Sequence, residues 1–190
     1  MITFEEDLRN SLKALKEGKV ILYPTDTVWG IGCDASNAEA VARIFTIKER
    51  SDSKSLIVLV DSESMLERYV KEVPQAASQI ISVSDKPLTI IYPAGKNLAA
   101  GVAADDGSVG IRITSDPFCM ELIGRFRRPI VSTSANKSGV PAPASFGDID
   151  KAIAESVDYV VWHKRDDRQK HSASPVIKVE QNGQIKIIRK

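Results

Sequence analysis

The sequence contains few of the residues that build metal centres and disulfide frameworks. Its two cysteines, Cys33 and Cys119, have neither a pairing nor a metal-ligand spacing, so we expect small core residues of a protein in a reducing compartment. Its two histidines, His163 and His171, lack ligand partners at the required spacing and are expected at the surface. The sequence therefore predicts no metal site built from its own side chains.

Other deficits exclude further classes of protein. No apolar run approaches a membrane span, and the acidic N-terminus lacks the apolar stretch of a signal peptide, so we expect a cytoplasmic protein. The net charge of +1 gives no overall field, and contact with nucleic acid would need a local basic face. Aromatic residues make up 6% of the chain and are not interleaved with the cations, which disfavours a platform for stacking bases.

Three common catalytic or nucleotide-binding motifs are missing as well. Ser132 and Ser134 do not stand in the Gly-x-Ser-x-Gly turn that exposes the nucleophile of many serine hydrolases. The chain has no Gly-x-x-x-x-Gly-Lys-Ser/Thr sequence, which excludes a P-loop. Gly30 and Gly32 lack the third spaced glycine of a dinucleotide-binding fingerprint.

The patterns that are present predict an α/β fold with a mixed sheet, and we treat residues 1–190 as one domain. Predicted strands occupy residues 20–23, 56–60, 87–93, 109–113, 130–131, 159–162, 175–179 and 184–189. Predicted helices begin near Thr3, Asn37, Ser62, Pro74, Asp116 and Ser145, the last running to about Glu155. Residues 25–34 are expected to form a loop, and Gln181-Asn182-Gly183 a hairpin turn.

The segment from residue 20 to 60 carries the most chemical information. Lys48, Arg50 and Lys54 lie within seven residues, between a predicted helix end and a strand start. Arginine offers a planar fork of donors and lysine a mobile point charge, so the cluster suits a bound anion such as a polyphosphate. The same cations could instead complement the dipole of the preceding helix and then face solvent.

Hydroxyl side chains follow two of the predicted strands. Thr25 to Thr27 follows the first, and Ser132 to Asn136 follows the strand at residues 130–131. Ligands bind at the carboxyl ends of strands in α/β sheets, where hydroxyls and backbone N–H groups can wrap phosphate oxygens. Both runs are also compatible with ordinary turns, and Asp26 in particular with turn capping. Arg112 lies within a strand, where it either reaches a pocket or faces solvent.

Read together, four ordered motifs resemble those of the YrdC-like proteins, the threonylcarbamoyl-AMP synthases. They are residues 23–30, the cluster Lys48/Arg50/Lys54, residues 108–113 and residues 132–136, and the similarity covers nearly the whole chain. The resemblance implies a twisted mixed sheet flanked by helices, with a basic concave cavity. It also implies a reaction in which L-threonine, bicarbonate and ATP give threonylcarbamoyl-AMP and pyrophosphate, for the threonylcarbamoyladenosine modification of tRNA.

The resemblance also implies roles for individual residues. The implied catalytic residues are Lys48, Arg50 and Lys54. The implied threonine contacts are Thr27, Arg112, Ser132 and Ser174. The implied nucleotide contacts are Arg50, Lys54, Ser108, Ser134, Asn136 and Arg189. The chain departs from the family pattern at Leu59, where many members carry His, at Ala142, often a Ser, and at Pro175, which replaces Ser or Thr.

ATP is expected as a substrate accompanied by Mg²⁺, held mostly by phosphates and water because the sequence offers no obvious carboxylate pair for it. The other implied partners are L-threonine, bicarbonate, tRNA and the downstream transferase complex. An alternative from a different class is an RNA-binding module that uses the same concavity. Its phosphate contacts would come from Arg125, Arg127, Arg128 and the basic residues 163–171.

Overall fold

The computed structural model describes residues 2–49, 56–167 and 169–190. The strands are β1 (Ile21–Tyr23), β2 (Gly30–Gly32), β3 (Ile57–Val60), β4 (Thr89–Tyr92), β5 (Val109–Ile113), β6 (Ile130–Ser134), β7 (Tyr159–Val160), β8 (Val176–Val179) and β9 (Ile185–Arg189). The helices are α1 (Phe4–Lys16), α2 (Ala38–Ile47), α3 (Glu63–Leu66), α4 (Gln75–Val83), α5 (Pro117–Phe126) and α6 (Lys151–Ser156).

The strands form one mixed sheet in the order β7-β1-β2-β6-β3-β5-β4-β8-β9. The pairs β1–β7, β3–β5 and β4–β8 are parallel, and the remaining neighbours are antiparallel. Each parallel pair joins strands that are separated in sequence by at least one other strand, and the antiparallel hairpin β8–β9 ends the sheet. The predicted α/β fold with a mixed sheet is confirmed.

Three helix starts were readable from local sequence because their caps are local contacts. Thr3 and Glu6 form the predicted capping box at α1. Asn37 accepts a hydrogen bond from the backbone N–H of Ala40 at α2, and Asp116 caps α5 with proline at the first turn. Among the described residues, every helix falls short of the length and apolarity that a membrane crossing requires.

Three of the predicted boundaries were wrong. The strand expected at residues 130–131 is longer, because β6 extends to Ser134 by pairing with β2 and β3, so Ser132 and Ser134 lie in the strand and not after it. Residues 25–34 are not all loop, because Gly30–Gly32 pairs with both β1 and β6. The expected helix from Ser145 to about Glu155 is instead a short 3₁₀ turn (Phe146–Asp148) followed by α6. Asp148 turns its carboxylate back to the N–H of Ser145, the chain becomes extended, and Asp150 caps a new helix.

Gly32 is the position in β2 where a side chain fits least. A Cβ built there would lie 2.5 Å from Cε1 of Tyr23 and 2.5 Å from the carbonyl oxygen of Val131. We expect Gly32→Ala to lower the free energy of unfolding by about 1–3 kcal/mol, as for other overpacked cores. Denaturant unfolding measures the change, with Gly147→Ala as the control because its nearest neighbour is 3.9 Å away. Equal stability of the two variants would contradict the prediction.

Candidate active site

A cavity of about 270 Å³ is lined by residues of β2, β3, β5 and β6, the loop after β1, the segment before β8 and the end of β9. Six of its lining residues are predicted substrate contacts: Thr27, Arg112, Ser132, Ser134, Ser174 and Arg189. The structure therefore brings together all four predicted threonine contacts and two of the predicted nucleotide contacts. The described lining residues include two arginines and no carboxylate, so the wall is basic.

Strand register explains why residues so distant in sequence share this wall. Ile57 of β3 pairs with Gly110 on one side and with Ser132 on the other. Because side chains alternate between the faces of a strand, Gly110 shares its face with Arg112, and Ser132 shares its face with Ser134.

Arg112 faces the cavity rather than solvent. Its residue surface is only 4% exposed, and its Nη2 lies 3.0 Å from Oδ1 of Asp26. Its Nη1 donates to Oγ of Ser174 at 3.2 Å. The second carboxylate oxygen of Asp26 accepts hydrogen bonds from Oγ1 of Thr114 and the backbone N–H of Ser115, both at 3.2 Å. Asp26 therefore connects the loop after β1 to the end of β5 and does more than cap a turn.

Ser174 connects two arginines. Its hydroxyl bonds with Oγ1 of Thr89 at 2.8 Å and with Arg112, while its carbonyl oxygen accepts from Nε and Nη2 of Arg189 at 2.9 and 2.7 Å. Burial, followed by the charge of Arg112, lowers the pKa of Arg189. Two guanidinium groups close enough to affect each other favour a negatively charged ligand between them.

A β-bulge places Arg189 at this cavity. Val176 pairs with Arg189 but Ile177 pairs with Ile187, so Ile188 is an extra residue in β9. A bulge breaks the alternation of a strand and redirects the side chains that follow it, and bulges are frequent beside active sites.

Thr25 shapes the loop that carries Thr27. The Oγ1 atom of Thr25 accepts from the backbone N–H of Thr27 at 3.0 Å and donates to the carbonyl of Val28 at 2.8 Å. Thr27 is thus held at the mouth of the cavity by a side chain from its own loop.

Lys48 lies at the C-terminal end of α2 and contacts backbone carbonyls rather than lining the cavity. Its residue surface is 3% exposed, and its ammonium group donates to the carbonyl oxygens of Ser134 and Asn136 at 2.5 and 2.7 Å. The amide nitrogen of Asn136 donates in turn to the carbonyls of Lys137 and Val140. Lys48 and Asn136 therefore hold the turn after β6 through backbone contacts, and Lys48 is absent from the described cavity wall.

Three of the other predicted contacts, Ser108, Arg50 and Lys54, are not among the residues that line the cavity in the described part of the chain. Ser108 is buried just before β5 and does not line the cavity; its backbone N–H donates to Asp106 at 2.9 Å. It shares a face with Arg112 but lies about 13 Å along the strand, a separation that an extended ligand could span. Arg50 and Lys54 lie outside the described residues.

Several participants were missed from the sequence. Asp26 was ascribed to turn chemistry, Thr25 was noted only as part of a run of hydroxyl side chains, and Thr89 gave no signal beyond strand propensity. Leu59, where many members of the family carry His, is fully buried and pairs with Arg112 in the sheet register. Ala142 lines the cavity and adds no hydroxyl to it.

The cysteines and histidines offer no alternative catalytic centre. Cys33 and Cys119 are buried and free, as predicted, and burial raises the pKa of both thiols, which keeps them neutral near pH 7. His163 is half-buried rather than at the surface, stacked on Phe118 and edge-on to Phe4, and burial lowers its pKa. The described part of the chain contains no group of three His, Cys, Asp or Glu residues suited to a metal ion.

Four of the cations that the RNA-binding alternative would use already have partners within the protein. Arg125 pairs with Glu5 and Glu121, and Arg128 pairs with the buried Asp34. In the basic segment near residue 163, Lys164 pairs with Asp116, and Arg165 donates to two backbone carbonyls. Carboxylate partners compete with a nucleic-acid backbone, so this arrangement gives the alternative no support.

A comparison with known families adds to the geometry. The family model Sua5_yciO_yrdC, described as "Telomere recombination", matches residues 13–190. The chain belongs to this family. Curated relatives of this Sua5/YciO/YrdC protein include the threonylcarbamoyl-AMP synthases of Pseudoalteromonas translucida, 34% identical over 80% of this chain and 82% of that protein, and of Vibrio cholerae, 34% identical over 86% and 88%.

Solved structures of the Sua5/YciO/YrdC family have the same fold. P. abyssi Sua5 in complex with L-threonine has a TM-score of 0.79 and 28% identity over 94% of this chain. The match spans 52% of that Sua5 chain, about half its length. E. coli YciO has a TM-score of 0.84 over 99% of this chain and 90% of its own, and at 20% identity it supports the fold alone.

Proposed function

We propose that the protein is a threonylcarbamoyl-AMP synthase, a nucleotidyltransferase that converts L-threonine, bicarbonate and ATP to threonylcarbamoyl-AMP and pyrophosphate. The observation that carries the proposal is the basic cavity in which Arg112, Arg189 and Ser174 converge. Two further findings support it: relatives of that name at 34% identity, and a Sua5 structure that binds L-threonine.

The reaction needs no nucleophile from the enzyme. The threonine amine adds to the carbon of bicarbonate and water leaves, which gives a carbamate. A carbamate oxygen then attacks the α-phosphorus of ATP, the bond to the β-phosphate oxygen breaks, and pyrophosphate leaves with its electron pair. Two anions must meet, so the protein's task is to neutralise charge and to align the attack.

We assign the threonine end of the cavity to Thr27, Arg112, Ser132 and Ser174. A guanidinium group can bind a carboxylate through two parallel N–H donors, and Arg112 is already held in one orientation. Ser174 and Ser132 add hydroxyls, and Thr27 contributes from the loop after β1. Apolar wall residues, among them Val28 and Ala173, are suited to the threonine methyl group.

We propose that ATP binds to the cations and small polar residues of the site that do not contact threonine. Arg50 and Lys54 are the proposed phosphate ligands, with Arg189, Ser134, Asn136 and Ser108 as further contacts. Lys48 acts through the turn that it holds, so we propose it as a positioning residue rather than a phosphate ligand.

Magnesium is proposed to enter with ATP as part of the substrate. The described residues contain no group of three carboxylates suited to it, and we propose that phosphates and water supply most of its ligands. We further propose that residues 1–190 act as one domain in the cytoplasm. The product is passed to a downstream transferase complex that modifies tRNA.

A pyrophosphate-release assay with and without L-threonine and bicarbonate tests the function. We expect release to require both, and serine to replace threonine with a kcat/KM lower by about 10- to 200-fold, the usual value of one missing carbon in an apolar pocket. Equal turnover with serine, with alanine or without an amino acid would refute the proposal. Salt-sensitive RNA binding without this activity would favour the RNA-binding module instead.

A further inference from the structure

Asp26 forms an ion pair with Arg112, the arginine that lines the cavity. Its side chain is 6% exposed and Arg112 is 4% exposed, with Oδ1 and Nη2 at 3.0 Å. The other carboxylate oxygen is fixed by the Thr114 hydroxyl and the Ser115 N–H, which extend from the end of β5. Asp26 itself is therefore held in place and can serve as a fixed partner for the guanidinium.

This pairing leaves most of the donors of Arg112 available. A guanidinium has five N–H donors, of which one on Nη1 donates to Ser174, while Nη2 lies 3.0 Å from Oδ1 of Asp26 as an ion pair without a hydrogen bond to it. The buried Nε has no hydrogen-bond partner within the described part of the chain. Because Asp26 and Ser174 hold the guanidinium group from two sides, the arginine side chain loses little further conformational freedom when a ligand binds.

The charge of Asp26 has a second consequence. Arg112 and Arg189 are close enough for the charge of one to lower the pKa of the other, so without a carboxylate nearby they would repel each other. A carboxylate beside Arg112 also makes that arginine a poor partner for a polyphosphate, because repulsion grows with the charge on the ligand. A singly charged amino-acid carboxylate is affected least.

We propose that Asp26 is a positioning residue that aims Arg112 at the threonine carboxylate and keeps the phosphates of ATP away from it. The inference rests on the proposed function, and it gives Asp26 a role in sorting the two anionic substrates. Asp26 does not touch the reacting atoms in this account, and its effect passes entirely through Arg112.

The central test is Asp26→Asn, which preserves size and removes charge. Threonine and ATP are titrated separately by calorimetry, and the KM for each is measured by pyrophosphate release. We expect threonine binding to weaken by about 10- to 100-fold, as when partners that orient metal ligands are removed, while ATP binding is not weakened. A merely structural role would weaken both ligands together or neither, and either result would overturn the proposal.

Asp34→Asn is the matched control. Asp34 is also a buried aspartate paired with an arginine, but its partner Arg128 does not line the cavity, whereas Arg112 does. We expect this variant to lose stability without a change in the KM for threonine. Asp26→Glu, which retains the charge, should recover threonine binding relative to Asp26→Asn, and failure to do so would overturn the role of charge.

Thr114→Val keeps the test decisive if Asp26→Asn does not fold. It removes one of the two hydrogen bonds that fix Asp26, and we expect a smaller loss confined to threonine. An unchanged threonine affinity in this variant would count against positioning. If the wild-type protein itself binds no threonine and releases no pyrophosphate, the proposed function fails; if it does both and Asp26→Asn matches it, only this inference fails.

Discussion

Replacing Arg112 with lysine is expected to weaken threonine binding by about 10- to 100-fold, the equivalent of about 1.5–3 kcal/mol for hydrogen bonds to a charged group. Lysine keeps the charge but loses the planar fork, so it cannot hold Asp26, Ser174 and a substrate carboxylate at the same time. ATP binding should remain nearly unchanged. Separate calorimetric titrations of the two ligands measure the difference.

Arg128→Lys serves as the control for this prediction. It makes the same chemical change at an arginine that pairs with an aspartate outside the cavity, and we expect both ligands to bind as in the wild type. If Arg112→Lys loses ATP affinity and keeps threonine affinity, the two ends of the site have been assigned in reverse. If neither affinity changes, Arg112 stabilises the fold and does not bind the substrate.

Replacing Lys48 with methionine is expected to lower the free energy of unfolding by about 2–5 kcal/mol and to impair ATP binding as well. The ammonium group donates to the carbonyls of Ser134 and Asn136 in a buried position, and methionine has no donor for them. The end of β6, which carries the Ser134 hydroxyl, and the turn that follows it would lose contacts that hold them. Denaturant unfolding and ATP titration measure the two effects.

Lys137→Met is the matched control, because Lys137 lies in the same turn and pairs with Glu49 at the surface. Exposed pairs contribute little, and we expect a change within about 0.5 kcal/mol. A Lys48→Met variant of wild-type stability that still loses ATP would contradict the positioning role. Lys48 would then contact phosphate directly, as the motif alone suggested.

Local chemistry determined much of the fold in advance. Caps and periodicity predicted α1, α2 and α5 because a cap and the N–H that it accepts lie within three residues of one another. The strand β2 was missed because two of its three residues are glycines, which have low strand propensity. Its pairing comes from β1 and β6, partners that local sequence does not specify.

The candidate site was likewise predicted in part from the sequence, and the rest of it depends on tertiary contacts. Residue types and their order drew attention to Thr27, Arg112 and Ser132, the family resemblance added Ser174, and the structure places all four at one cavity. The sequence could not decide between a pocket and solvent for Arg112, because alternation gives a face but not what covers it. Arg112 is oriented toward the pocket by its contacts with Asp26, 86 residues earlier in the chain, and with Ser174, 62 residues later.

Lys48 illustrates the limit of a motif. The sequence determined that three cations lie together after α2, and a cluster of cations favours an anion wherever its members point. The tertiary structure turned Lys48 toward two backbone carbonyls of a turn that follows β6, 86 and 88 residues away. Sequence thus determines which charges and hydroxyls are available, and the packing of distant strands decides which of them face a ligand and which hold the others in place.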